Sequence, residues 1–170
     1  MNVGTMTIKS RRSVRKYKPT TIPPYVIQDV IDCGRLAPTA ENLQPWLFGA
    51  VTDKDLLRQI AELTDDAQFI ADAAVCFTVF GRPNETYYLE DCAAATMSMI
   101  IALQNLGLGS CWVAGDKKPY AGAVRELLNV PAEYSLISLI PAGAAAEIAN
   151  PPKKRLEQVS FLNRFGETAT

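Results

Sequence analysis

The chain contains no histidine. That excludes His-based nucleophile triads and the usual histidine metal sites. Cysteine is scarce: Cys33, Cys76, Cys92 and Cys111 form no C-x-x-C pair. Each sits among apolar neighbours, so they read as buried, reduced thiols of a cytoplasmic protein, with no disulfide or metal set. The N-terminus lacks the apolar core of a secretory signal. Internal repeats and low-complexity tracts are missing too. So is a strong net charge: 17 basic and 18 acidic residues leave −1, which argues against general polyanion binding. The longest uncharged run, 92–115, is broken by Thr96, Ser98, Gln104 and Asn105 and stopped by Gly107. A membrane span needs about 20 apolar residues, so a span is not expected.

What is present is enough for one domain with a real core, 1–170, in a chain of 170 residues that is 48% hydrophobic. Its charges are unevenly placed. Before Asp29 there are six basic residues and no acidic one. From Asp29 to Pro152 there are 7 basic and 16 acidic residues, and then Lys153, Lys154 and Arg155 come together. Termini of compact domains often lie close, so the two basic ends can converge on one anion.

The densest basic stretch is Arg11-Arg12-Ser13-Val14-Arg15. In extended chain, Arg11, Ser13 and Arg15 share a face and Arg12 points the other way. Guanidinium forks flanking a hydroxyl suit a phosphate, because arginine binds phosphate oxygens in bidentate fashion. The alternative is a solvated basic arm or a loose nucleic-acid contact. Single-stranded nucleic-acid binding calls for interleaved aromatic residues, and only Tyr17 qualifies.

Residues 1–20 read as polar, basic and extended. Pro23 and Pro24 open a helix that closes near Pro38. Trp46–Val51 reads as a strand, Asp53 as the cap of a helix to about Leu63, and 73–80 as a buried strand. Residues 85–108 form the longest helical pattern, apolar on every face in its second half, which suggests burial against another subunit. Residues 109–115 read as a strand, 117–128 as a helix and 134–140 as a strand. Trp46 and Trp112 read as core residues. The tail, about 151–170, carries Phe161, Leu162 and Phe165, a pattern that suits docking on a neighbour.

RRSVRKY, then APTAENLQPWLF, then a small-residue helix ending LGLGSCW, then PKKRL followed by EQV, resemble the nitroreductase family of FMN-dependent oxidoreductases. The resemblance implies an α+β fold with a mostly antiparallel sheet flanked by helices. It implies an intertwined homodimer with FMN at the subunit interface. By position, Arg11, Arg12, Ser13 and Arg15 resemble the family's phosphate and flavin-edge contacts. Pro38, Thr39, Ala40 and Asn42, with Gln44 beside them, resemble the loop that reaches FMN from the partner chain. Ala114 and Gly115 match the strand end near the reactive flavin nitrogen, and Lys153 and Arg155 match a K-x-R pair at the phosphate. The implied activity is hydride transfer from NADH or NADPH to a nitroaromatic, quinone or flavin acceptor, in ping-pong order. It needs no side-chain nucleophile or base, in keeping with the missing histidine. A flavin-binding module without turnover, or a relative specialised for reductive dehalogenation, is the alternative. Many members carry a helical excursion covering the site; here only a short link joins the strand ending near Gly81 to the long helix.

Overall fold

The computed structural model describes residues 2–166. Two hydrophobic patterns out of phase build its centre. In β2 (Val75–Gly81), Val75, Phe77 and Val79 face one layer and Cys76 and Phe80 face the other. This is the two-residue period of a strand covered on both sides. β2 pairs antiparallel with β1 (Trp46–Val51), Trp46 opposite Gly81, and with β5 (Ser135–Gly143), Val75 opposite Ala142. A register shift at Val79/Phe80 leaves Ile137 as the extra residue of β5. It lets Ile137 join Ile140 and Ala142 on one face while Leu136 and Leu139 point to the other.

The far side of β5 carries two short strands, β3 (Gly109–Ser110) and β4 (Val113–Ala114). They were expected to be one strand. Pro141 explains the break: Cys111 N–H reaches its carbonyl at 3.3 Å, but a proline cannot return the bond. The sheet order is β1-β2-β5-β3, with β4 also on β5, and all these pairings are antiparallel.

Four helices cover the two faces. α2 (Pro24–Arg35) and α4 (Tyr88–Asn105) cover one, packed over Phe77, Val79, Ile137 and Ile140. They approach closely at Gly34, where an added Cβ would sit 2.8 Å from Met99 Cγ. α3 (Lys54–Leu63) and α5 (Ala121–Leu127) cover the other, over Cys76, Phe80 and Leu139. As expected, Asp53 caps α3, accepting from the backbone N–H of Asp55 and Leu56 at 2.9 Å. Inside the sandwich, the Thr96 and Ser138 hydroxyls satisfy each other at 2.8 Å between α4 and β5.

Two local expectations are corrected. Residues 3–10 are not extended: they form α1 (Val3–Ser10), because the Asn2 side chain caps Thr5 N–H at 3.0 Å. The helix expected from Lys117 begins only at Ala121, since Lys117 sits at φ 61° and Pro119 follows. Within one chain α4 is covered on one side only. Asp91, Cys92, Ala95, Thr96, Met99, Ile100 and Leu103 are buried, but Ala94, Met97 and Ile101 are half-exposed. Residues 82–87 join β2 to α4 by a turn and no helix lies between them. Among the described residues no helix is long and apolar enough to cross a membrane.

Candidate functional site

After α1 the chain turns extended, and residues 11–18 run beside the β3 edge. Ser13 bridges Ser110 in parallel, and Val14 N–H donates to Ser110 O at 2.9 Å. Farther on, Tyr17 bridges Ala145, Lys18 N–H donates to Ala144 O, and Ala146 N–H donates to Lys16 O, both at 2.8 Å. The buried Tyr17 hydroxyl closes the arm, lying 2.7 Å from Val14 O and 3.0 Å from Pro141 O. Val14 packs so tightly over Gly109 that a Cβ there would lie 2.9 Å from Val14 Cγ1.

The expected alternation is present. Arg12 turns away, bonding Asn150 Oδ1 at 3.2 Å and Lys9 O at 2.8 Å. Arg11, Ser13 and Arg15 all act on the Cys111 thiol. Burial raises that thiol's pKa, while the Arg15 charge, the Ser13 hydrogen bond and the Arg11 charge oppose the rise. Among the described residues four ion pairs form, and none uses Arg11, Arg12 or Arg15. The nearby Glu147 carboxylate is engaged by Arg15's backbone N–H at 2.7 Å, not by its guanidinium.

Arg15 lines a cleft of about 190 Å³ with Ala114, Trp112, Phe69, Lys118 and Asp65. Its guanidinium lies 5.9 Å from the Phe69 ring centre. Gly115 is buried below the cleft and does not line it; its N–H donates to Ile137 O at 2.9 Å. A Cβ at Gly115 would meet Leu136 Cγ at 2.5 Å, so the strand end needs glycine for its close approach. The Tyr120 hydroxyl donates to Ala114 O, fixing the same strand end from α5. Burial first, then Asp65 and Asp66, push the Tyr120 pKa up. Trp112 is 39% exposed and lines the cleft, which corrects its assignment to the core; Trp46 is half-buried against Phe48. Lys118, Tyr120 and Phe69 carried no sequence signal, because their convergence needs the short 3-10 turn Gln68–Asp72, the strand end and the start of α5 to be folded.

The loop from Pro38 to Gln44 lies elsewhere. Glu41, Asn42 and Gln44 have φ of 52°, 58° and 51°, the left-handed region that non-glycine residues rarely occupy. Asp91, on α4, holds it. Its carboxylate accepts from Thr39 Oγ1 at 2.7 Å and from Ala40 N–H at 3.1 Å. Thr39 Oγ1 in turn accepts from Gln44 N–H at 3.0 Å. Asn42 and Gln44 are exposed.

Within one chain the arm and this loop sit at diagonal corners of the sheet. The loop precedes Trp46, level with Gly81 and Ser135; the arm meets Ser110, level with Ala142. At about 3.3 Å per residue, Ser135 and Ala142 are roughly 23 Å apart along β5. Across the sheet, β1 and the arm are separated by roughly 19 Å at about 4.8 Å per strand.

Lys153 and Arg155 are exposed. They follow Asn150, the residue that Arg12 holds, so the basic tail starts beside the basic arm. From Leu156 to Phe165 the described tail exposes Leu156, Val159, Phe161, Leu162 and Phe165. The last four residues of the expected tail, 167–170, lie outside the described residues.

Comparison with known proteins identifies the family and the fold. The model of the nitroreductase family matches residues 8–79 and 66–144, most of the chain. The chain belongs to the nitroreductase family. A provisionally assigned NADH dehydrogenase/NAD(P)H nitroreductase of Archaeoglobus fulgidus is 32% identical over 142 residues, 80% of this chain and 82% of that one. A solved structure with the same provisional assignment, from Parabacteroides distasonis, superposes with a TM-score of 0.91 at 29% identity, covering 97% of this chain and 100% of its own. An FMN-dependent nitroreductase from Clostridium difficile gives 0.87 at 25% identity, covering 94% and 98%. The α+β nitroreductase fold expected from the sequence is therefore the fold of this chain, and the short 82–87 link is this member's version of the region after β2.

Proposed function

We propose that this chain is an FMN-dependent oxidoreductase. It takes hydride from NADH or NADPH and passes the electrons to a small-molecule acceptor of the nitroaromatic, quinone or flavin class. The observation that carries the reading is the arginine arm. Arg15 lines a cleft beside the fixed backbone of Ala114, Arg11 acts with it on the Cys111 thiol, and among the described residues neither forms an ion pair, although Asp65 and Asp66 also line the cleft. Like charges this close repel, and an anion against them relieves that cost. The flavin phosphate fits that need, and the known relatives include an FMN-dependent nitroreductase.

FMN, when bound, supplies the hydride chemistry. The chain supplies the rest. Arg11, Ser13 and Arg15 bind and orient the phosphate side. Arg12 braces the arm through Asn150, so that Lys153 and Arg155, only a few residues on, come within reach of the same phosphate. The exposed Ala114 backbone, held by Tyr120 and by the Gly115–Ile137 bond beneath it, would present a rigid edge to the isoalloxazine. Donor and acceptor then use one open face in turn, giving ping-pong kinetics.

The diagonal separation supports a two-chain site. Pro38, Thr39, Ala40, Asn42 and Gln44 cannot reach the FMN held by Arg15 of their own chain. They serve the FMN of a second copy, in a homodimer whose contact includes the half-exposed apolar side of α4. The tail from Leu156 onward docks on that copy. An apolar groove of about 390 Å³ along the unpaired β1 edge, lined by Leu47, Phe48, Leu56 and Val130, suits its side chains.

Anaerobic titration tests the reading. The protein should bind FMN at about one per chain and prefer it to riboflavin. Its yellow colour should bleach with a nicotinamide and return with an acceptor. Equal affinity for riboflavin would remove the phosphate argument. Bound flavin that neither nicotinamide bleaches would make the chain a flavin module without turnover.

A further inference from the structure

Asp91 has no role in the sequence pattern, yet it is the point on which the 38–44 loop turns. It is 7% exposed, and among the described residues it makes no ion pair. Its oxygens are spent on the loop. Oδ2 accepts from Thr39 Oγ1 at 2.7 Å, and Oδ1 accepts from Ala40 N–H at 3.1 Å. The direction of the chain of bonds is forced. Gln44 N–H can only donate, so Thr39 Oγ1 accepts from it at 3.0 Å. The one hydroxyl hydrogen of Thr39 must then go to Asp91, which as a carboxylate only accepts. A directed relay, Gln44 N–H to Thr39 hydroxyl to Asp91 carboxylate, closes the loop at both ends.

What lies inside the closure is the costly part. Three non-glycine residues between Ala40 and Pro45 have positive φ. Each costs of order 1–3 kcal/mol unless the surroundings over-determine it. The loop's internal bonds are few: Asn42 N–H to Thr39 O at 3.3 Å, Leu43 N–H to Ala40 O at 3.0 Å, and the Gln44 side-chain amide to Asn42 O at 3.2 Å. The two backbone bonds end on residues that Asp91 holds. Beyond the loop, Arg82 N–H fixes Pro45 O at 3.0 Å; without the relay, only these internal bonds tie the left-handed stretch itself.

We infer that Asp91 and Thr39 are positioning residues that hold Asn42 and Gln44 in the geometry needed to bind the partner chain's FMN. The inference rests on the proposed function for what the loop binds, and on hydrogen bonding alone for what holds it. A loop that visits the competent shape only part of the time raises the apparent dissociation constant by the inverse of that fraction.

Thr39→Val tests it with little steric change. Thr39 has φ −143° and ψ 140°, an extended conformation that valine favours. Thr39→Ser keeps the hydroxyl, and Asp91→Asn serves as second variant. Two quantities are read on the FMN-loaded dimer: hydrogen exchange of the Gln44 and Ala40 amides, and the dissociation constant for FMN. With Thr39→Val, the Gln44 amide should exchange faster and FMN should bind roughly tenfold more weakly. Thr39→Ser should restore both. Asp91→Asn should release Ala40 as well as Gln44. Unchanged exchange in both Thr39→Val and Asp91→Asn, with the fold intact by circular dichroism, would overturn the relay whatever the flavin does. Faster exchange with unchanged FMN affinity would overturn the positioning role while leaving the proposed function standing. A wild-type protein that does not bind FMN would instead sink the proposed function, and the positioning role with it.

Discussion

Residues 11–18 and residues 38–44 are held by opposite means. The arm is stitched along its length: Val14, Lys16 and Lys18 exchange backbone bonds with Ser110, Ala146 and Ala144, and Tyr17 closes it from inside. The loop has one anchor, a buried carboxylate on α4, and three left-handed residues hang from it. A stitched segment loses its shape bond by bond, whereas a single-anchored one loses it at once. If both serve one flavin, a rigid seat belongs to one chain and a hinged clasp to the other. A clasp can open for exchange of ligand; a seat need not.

The sharpest break of this comparison is genetic. Arg15→Ala and Asn42→Ala homodimers should each be inactive. Mixed dimers isolated from co-expression should regain about half of the wild-type flavin and activity. One site then collects both lesions and the other collects none, as two-fold symmetry requires. If arm and loop served the same chain's flavin, each site would keep one lesion and nothing would return. Failure of rescue in verified mixed dimers would therefore defeat the shared site.

The next effect is on affinity. Arg15→Ala should raise the FMN dissociation constant by roughly 10- to 150-fold, the loss of a charged hydrogen-bond partner worth about 1.5–3 kcal/mol. Riboflavin affinity should barely move, because it has no phosphate. Calorimetry showing equal losses for both ligands would assign Arg15 to the ring and not to the phosphate.

The two regions also differ in how far the sequence reveals them. The arm is legible because its physics is local. Period-two alternation puts Arg12 opposite Arg11, Ser13 and Arg15, and an extended chain obeys that rule wherever it lies. β1 is legible for the same reason, since WLFGAV admits few other forms, and α3 because Asp53 announces its start. The loop's prolines and amides identify it as a loop, but not what fixes it. Thr39 and Asp91 are 52 positions apart, and the bond exists only once α4 is packed. The β3–β4 break was hidden likewise, since it depends on Pro141 lying opposite Cys111. The α1 helix was missed for a smaller reason: its polar composition outweighed one capping asparagine. Cleft residues such as Tyr120 and Phe69 come from separate elements and carry no common spacing.

A smaller effect probes the stitching itself. Tyr17→Phe removes the hydroxyl that ties Val14 O and Pro141 O. Pro141 O keeps Cys111 N–H, so the loss falls mainly on Val14. It should destabilise by about 1–2 kcal/mol, lowering the melting temperature by about 2–8 °C for a domain of this size. FMN affinity should fall little, because the backbone bonds of Val14, Lys16 and Lys18 remain. A large loss of affinity with little loss of stability would mean that Tyr17 alone sets the arm, and the contrast with the loop would disappear.

The smallest effect decides whether strain in the loop is real and who sustains it. Glu41 is exposed, and its φ of 52° is the main feature a substitution there would touch. Glycine adopts that conformation without steric cost but gives up more chain entropy on folding. The relief of a left-handed side chain, about 1–2 kcal/mol, exceeds that entropy, about 0.5–1 kcal/mol. Glu41→Gly should therefore stabilise the chain by about 0.5–1 kcal/mol in denaturant unfolding. In the Asp91→Asn background the loop is already free to leave the left-handed region. There the same substitution should gain nothing, and the double-mutant cycle should show a coupling of about 0.5–1 kcal/mol between two residues with no direct contact. Strict additivity would mean that the loop keeps its shape without Asp91, and that its left-handed turn is set by the local sequence and not by the carboxylate on α4.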